Sequence, residues 1–268
     1  MNSGFTTNHQ FYTYIPSTTT TTTTTTSNKL LIFLHGLGSS QNFYYSLISY
    51  FTDLNILLID NEGAGNSKLF HENLTLNDLS ENVVSIVQEL GFINHELILV
   101  GHSMSGMLVN YMNLYTNLKI IQNILIAPVH STKQLSNAMN SRIDILNKSQ
   151  ELSPLANTIP ISATGPQSTG LQKAFIRQLI LGNSVKGYCA NCKAIISGEN
   201  YEFNYEKINV PTLLVYGEYD KTSPWIGCIE EISNGLSKVV TLKKLPVGHW
   251  IAIEDDQGLA TLMKEFIR

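Results

Sequence analysis

Wholly apolar runs punctuate the first half of the chain: Leu30–Leu34, Ile56–Ile59 and Leu97–Val100. Runs this short and uniformly apolar predict strands buried on both faces, as in a parallel sheet. Between them the period changes. Gln41–Phe51 carries apolar residues at helical spacing, and Thr75 to Leu90 does so more strongly, with Leu79, Val83, Ile86, Val87 and Leu90 on one stripe. Thr75 with Asp78 resembles a capping box, and Gly91 stands where a C-terminal cap belongs. Met104–Leu114 reads as a helix and Ile120–Ile126 as a strand. Strands alternating with helices of this length predict right-handed βαβ units.

After Pro128 the strands stop. From Val129 to Tyr205 there are helical pieces at 132–147, 171–181 and 184–197, punctuated by Pro154, Pro160 and Pro166. The alternation resumes with a strand at Thr212–Tyr216, a helix after Pro224, a strand around Val239–Leu242 and a helix from about Gln257. The expected organisation is an α/β core of residues 1–128 and 206–268, with a helical cap insertion at 129–205. Near the N-terminus, Thr18 to Thr26 is an unbroken threonine tract between the β-like pieces Phe11–Ile15 and Leu30–Leu34. It reads as a disordered, expanded hairpin loop, since each doubling of a loop costs only about 0.6 kcal/mol.

Composition narrows the class. Of 268 residues, 43% are hydrophobic and only 14% charged, against a usual charged share of about 25%. So little charge excludes a disordered chain. The net charge of −4, with scattered Lys and Arg, offers no electrostatic footprint for nucleic acid. No apolar run approaches the ~18 residues of a membrane span, and Met1 to Ser17 lacks the pattern of a signal peptide. The three cysteines, Cys189, Cys192 and Cys228, suit a reducing compartment better than a disulfide framework. The expected location is cytoplasmic. Cys189 and Cys192 have no second pair to complete a zinc site, so they are read as packing, with no metal and no cofactor expected. Oligomeric state is not legible.

The chemistry-bearing positions fall at strand ends. Gly101-His102-Ser103-Met104-Ser105 follows a strand and opens a helix. That is Gly-x-Ser-x-Gly with one departure, Ser105 in place of the last Gly. A serine on such a strand–turn–helix elbow stands clear of the sheet, and the amide of the next residue faces a developing oxyanion. Its hydroxyl needs a base, and the base an orienting acid. Asp220 follows one later strand and His249 the next; Glu218 is the rival acid, placed early in its loop. His35-Gly36-Leu37-Gly38 follows the first long strand. The Leu37 amide, with that of Met104, would complete an oxyanion hole. Asp60 is read as holding the loop at 61–67, and Met107 as packing.

As a set these residues resemble the α/β-hydrolase superfamily over Phe11 to Arg268. The motifs are His-Gly at 35–36, Asp-x-x-Gly-x-Gly-x-Ser at 60–67, the elbow at 101–106, Gly-x-x-Asp at 217–220 and Gly-His at 248–249. The resemblance implies a mostly parallel sheet flanked by helices and a Ser103–His249–Asp220 triad. The loop at 60–67, the cap stretch Ile159–Gly165 with 171–181, and Gly-His-Trp at 248–250 are similar to the fungal 3-oxoadipate enol-lactonase-like branch. That branch implies a carboxylic ester hydrolase acting on a small ester or lactone. Thioester hydrolysis, acyl transfer and ligand binding without turnover are the alternatives on the same fold. An enol-lactone of this kind bears a carboxylate, which calls for a cation. Of three arginines, Arg142 and Arg177 lie in the cap and are the candidates, with Trp250 as a further substrate contact.

Overall fold

The computed structural model describes residues 1–18, 28–236 and 239–267. Its centre is an eight-stranded sheet of β1 (Asn2–Phe5), β2 (Phe11–Ile15), β3 (Lys29–Leu34), β4 (Asn55–Ile59), β5 (Glu96–His102), β6 (Ile120–Ile126), β7 (Thr212–Gly217) and β8 (Val240–Leu245). Their order is β1-β2-β4-β3-β5-β6-β7-β8. From β4 to β8 every pair is parallel, while β1 and β2 are antiparallel additions at one edge.

The apolar runs are buried as their composition requires: Leu30 to Leu34 and Leu97 to Val100 are fully enclosed. Helix α1 (Leu76–Glu89) starts at the Thr75–Asp78 capping box and packs on α2 (Met104–Tyr115). The stretch Gln41–Tyr50 is helical, but wound as a tight 3-10 helix.

Between β6 and β7 lies the helical insertion: α3 (Lys133–Ser149), α4 (Ser153–Ser162), α5 (Gly170–Leu181) and α6 (Val185–Ser197). Helices α3 and α6 pack as one pair and α4 and α5 as another; α6 also rests on α1. Helix α4 is one more than the sequence pattern foresees. Its prolines hid it: Pro154 sits in the first turn, where a missing N–H costs nothing, and Pro160 falls two residues before the end. The chain closes with α7 (Glu230–Gly235), α8 (Ile251–Glu254) and α9 (Asp256–Ile267).

The hairpin expected across the threonine tract is corrected. β2 pairs with β4, and β4 separates it from β3, so the intervening segment joins strands that are not neighbours. Residues 19–26 of that tract lie outside the described residues. Thr18 is held, its amide 2.8 Å from the Thr52 carbonyl.

Strand order places the site. β4 lies on one side of β3 and β5 on the other, so the winding direction switches between β3 and β5. Open α/β sheets bind ligands at such a switch, outside the carboxyl ends of the strands. There His35–Gly38 leaves β3 beside the elbow that leaves β5.

Candidate active site

The elbow is built by close backbone approach. Ser103 adopts φ 54°, ψ −114°, a conformation non-glycine residues adopt only where surrounding contacts enforce it. Three contacts enforce this one. The Ser103 amide donates to the Ile126 carbonyl (2.9 Å), and its own carbonyl accepts from Gly106 (2.9 Å) and Val129 (3.2 Å). Gly101 and Gly106 permit the crossing of strand and helix: a Cβ on Gly101 would overlap the Ser105 carbonyl, and one on Gly106 would meet Pro128 at 2.6 Å.

Three distant side chains meet here. The Ser103 hydroxyl lies 2.9 Å from His249 Nε2, and His249 Nδ1 lies 2.8 Å from Asp220 Oδ2. A carboxylate only accepts, so Nδ1 carries the imidazole proton and Nε2 offers its lone pair to Ser103. Asp220 Oδ1 takes the amides of Thr222 (2.7 Å) and Ser223 (3.0 Å). Burial pushes the Asp220 pKa up, but the facing imidazole and these hydrogen bonds outweigh it, leaving the carboxyl below its ordinary value. All three residues are buried. The rival Glu218 is instead half-exposed and paired with Lys244 at 3.1 Å.

The loop after β3 runs alongside. A side chain at Gly36 would begin 2.7 Å from His102 Nδ1 and 3.0 Å from the Ser103 Cβ, so only glycine brings the backbone this near. Gly38, at φ 70°, lies under the Tyr188 ring of α6. Among the hydrogen bonds of the described residues, the Leu37 and Met104 amides have no acceptor.

Buried polar residues, most of them without an expected role, brace this arrangement. The Ser105 hydroxyl, fully buried, donates to the His35 carbonyl at 2.5 Å and accepts from Asn61 Nδ2 at 3.2 Å. His35 Nε2 accepts the Asn61 amide (3.0 Å), so its Nδ1–H turns to the Gly36 carbonyl (2.9 Å). Burial holds the His35 pKa low, in keeping with a neutral ring. His102 donates from Nε2 to the His249 carbonyl (2.9 Å), and burial drives its pKa well down. The Asp60 carboxylate takes the amides of Gln41 (2.7 Å) and Asn66 (2.8 Å). Buried Glu62 takes those of Phe70 and His71 and the Asn82 side chain. Of these residues Asp60 alone has a role legible in the sequence, holding the loop at 61–67 through the Asn66 amide; the others are polar residues whose burial the sequence does not show.

The substrate candidates part company. Arg142 lines a cleft of about 370 Å³ between α3 and the loop after β7. Its Nη1 is 3.3 Å from the Tyr188 hydroxyl. The cleft lining includes Val129, whose amide donates to the Ser103 carbonyl, and Lys221 and Thr222, which follow Asp220 in the chain, but none of Ser103, His249, Leu37 or Met104. Arg177 is exposed and bonded to Asn157 of α4 at 3.0 Å, outside that cleft. Trp250 is buried against Phe43 and His102. Cys189, Cys192 and Cys228 are free thiols, and burial raises the pKa of each. Among the described residues no cluster could hold a metal ion, and no helix is long and apolar enough to cross a membrane.

An open, mostly parallel sheet with a serine elbow at its switch point and a helical insertion after β6 defines the class. The alpha/beta hydrolase fold family matches residues 29–256, and the chain belongs to it. Solved structures agree on the fold. MenH from S. aureus superposes with a TM-score of 0.77 at 20% identity, over 96% of this chain and 97% of that one. The enol-lactonase from Burkholderia xenovorans LB400 gives 0.79 at 16%, over 97% of both chains. The thermophilic esterase from Thermogutta terrifontis gives 0.80 at 15%, over 97% of this chain and 93% of that one. No curated protein matches the sequence.

Proposed function

We propose that the protein is a serine hydrolase that cleaves a carboxylic ester or lactone through an acyl-enzyme. The observation that carries this reading is the relay from Ser103 Oγ through His249 to Asp220, with contacts of 2.9 and 2.8 Å. Ser103 Oγ attacks the carbonyl carbon while His249 Nε2 takes its proton. Asp220 fixes the imidazole tautomer and stabilises the imidazolium without being protonated itself. The Leu37 and Met104 amides hold the tetrahedral oxyanion, each such donor being worth about 2.7–4 kcal/mol in the transition state. His249 returns the proton to the leaving oxygen, which stays tethered to the acyl chain when the substrate is a lactone. Water, deprotonated by the same imidazole, then releases the acid and restores Ser103. Residues 129–205 act as the cap over a core of 1–128 and 206–268.

The acyl group we assign to this site carries a carboxylate, as the enol-lactonase-like resemblance implies. Arg142 and Lys221 line the cleft beside the elbow, and no Asp or Glu is among the lining residues. An unopposed guanidinium there suits a carboxylate, which it can bind through two parallel hydrogen bonds. Arg142→Gln is expected to raise KM for an acid-bearing lactone or ester and leave KM for p-nitrophenyl acetate unchanged. Equal effects on both would remove the carboxylate from the reading. The central test is Ser103→Ala, which should abolish p-nitrophenyl acetate turnover and fluorophosphonate labelling; full labelling of the variant would end the proposal.

A further inference from the structure

The loop that carries His249 is held from outside the relay. Glu254, in the last turn of α8, folds back so that its carboxylate straddles the histidine. Oε1 accepts the Trp250 amide at 3.0 Å and Oε2 the Gly248 amide at 3.0 Å. The same Oε2 accepts the Gly165 amide and the Ser168 hydroxyl, both at 2.6 Å, from the loop between α4 and α5. One carboxylate therefore joins the residues on either side of His249 to the helical insertion.

Other contacts reinforce this joint. The His249 amide donates to the Ala163 carbonyl at 2.8 Å. Gln172 of α5 donates to the Ile253 carbonyl (2.7 Å) and the Glu254 carbonyl (3.2 Å). The backbones touch with no side chain between them. A Cβ on Gly248 would sit 2.6 Å from the Ala163 oxygen, one on Gly165 3.0 Å from the Gly248 nitrogen, and one on Gly217 would overlap the Gly248 carbonyl. The insertion, the base-bearing loop and the end of β7 are thus stacked in direct contact. Hydrogen bonds to an ionised acceptor are about twice as strong as neutral ones, so Glu254 is the strongest link in the stack.

We propose that Glu254 is a positioning residue that locks the His249 loop to the α4–α5 loop, so that the base is aligned on Ser103 only while the insertion is seated. The proposal rests on the serine-hydrolase reading for its catalytic consequence. In Glu254→Gln one end of the carboxylate becomes an N–H₂ group. Whichever way the amide turns, at least one N–H of the loop faces another donor. Ser168→Ala removes a single contact from the insertion side and keeps the carboxylate that the Gly248 and Trp250 amides bond to.

The test compares wild type, Glu254→Gln and Ser168→Ala by amide hydrogen exchange and by p-nitrophenyl acetate kinetics. Exchange of segments 163–168 and 247–250 should rise together in Glu254→Gln. A misplaced base should lower kcat by about 10–100-fold while KM stays within about twofold. Ser168→Ala should move both readouts the same way by less, which keeps the test informative if Glu254→Gln does not fold. Unchanged exchange in either segment overturns the joint. A kcat equal to wild type in folded variants overturns its role in alignment. Coupled exchange in a wild-type chain that shows no turnover would instead sink the serine-hydrolase reading and leave the joint standing.

Discussion

Asp220 shows how several small effects on one residue settle its charge. Burial opposes its ionisation, while His249 and the amides of Ser223 and Thr222 favour it and prevail, so its pKa in the fold lies below the ordinary value. A carboxyl depressed by folding contributes stability above its unfolded pKa of about 3.9. That contribution is lost as pH falls through the lower, folded value. Urea unfolding should therefore show stability declining as the pH is taken below about 4. Asp220→Asn should decline less steeply, and an identical slope would contradict the assignment. The same variant offers an N–H to the imidazole, selects the wrong tautomer and should lower kcat by about 10⁴-fold. The strand-end positions of Asp220 and His249 are legible in the sequence because glycines frame them. The role of Glu254 is not, since an acidic residue in a short helix carries no mark of the amides it will meet.

At the scale of elements, legibility followed burial. β3 through β7 are enclosed, so their apolar runs stand out. β1 and β8 lie at the two edges of the sheet; β1 reads Asn-Ser-Gly-Phe, and β8 carries exposed Lys243 and Lys244 in its second half. Edge strands are blunted by such residues against further pairing, which also erases their hydrophobic signature. β1 accordingly shows no strand pattern in the sequence, and the pattern at Val239–Leu242 stops three residues before the end of β8. The hairpin error has a different cause: adjacency in sequence says nothing about a strand inserted later. The elbow departs from its motif at Ser105, and the structure gives the reason. Its hydroxyl ties the start of α2 to the β3 loop through the His35 carbonyl and to the β4 loop through Asn61. Ser105→Ala should cost about 1–2 kcal/mol in urea unfolding, the price of a lost buried hydrogen bond. A loss within a few tenths would show that Asn61 alone suffices.

Across the whole molecule, the sheet brings the ends of β3, β5, β7 and β8 to one rim, and each contributes to the proposed machinery. The first supplies an amide, the second the nucleophile and an amide, the third the acid and the fourth the base. Helices α3 to α6 lie in the connection between β6 and β7, and α5 rests on α8 beside His249; in the proposed reading they cap this rim. Solved structures with the same overall fold include an esterase and an enol-lactonase, so the fold leaves the acyl group open, and in the proposed reading the cleft around Arg142 selects it. The covalent intermediate is the point on which the whole account turns. Acid quenching during turnover of p-nitrophenyl acetate, followed by peptide mass mapping, should find the acetyl group on Ser103, and none on the Ser103→Ala protein. Steady turnover with no acyl group on that serine, or with one on another side chain, would contradict the account.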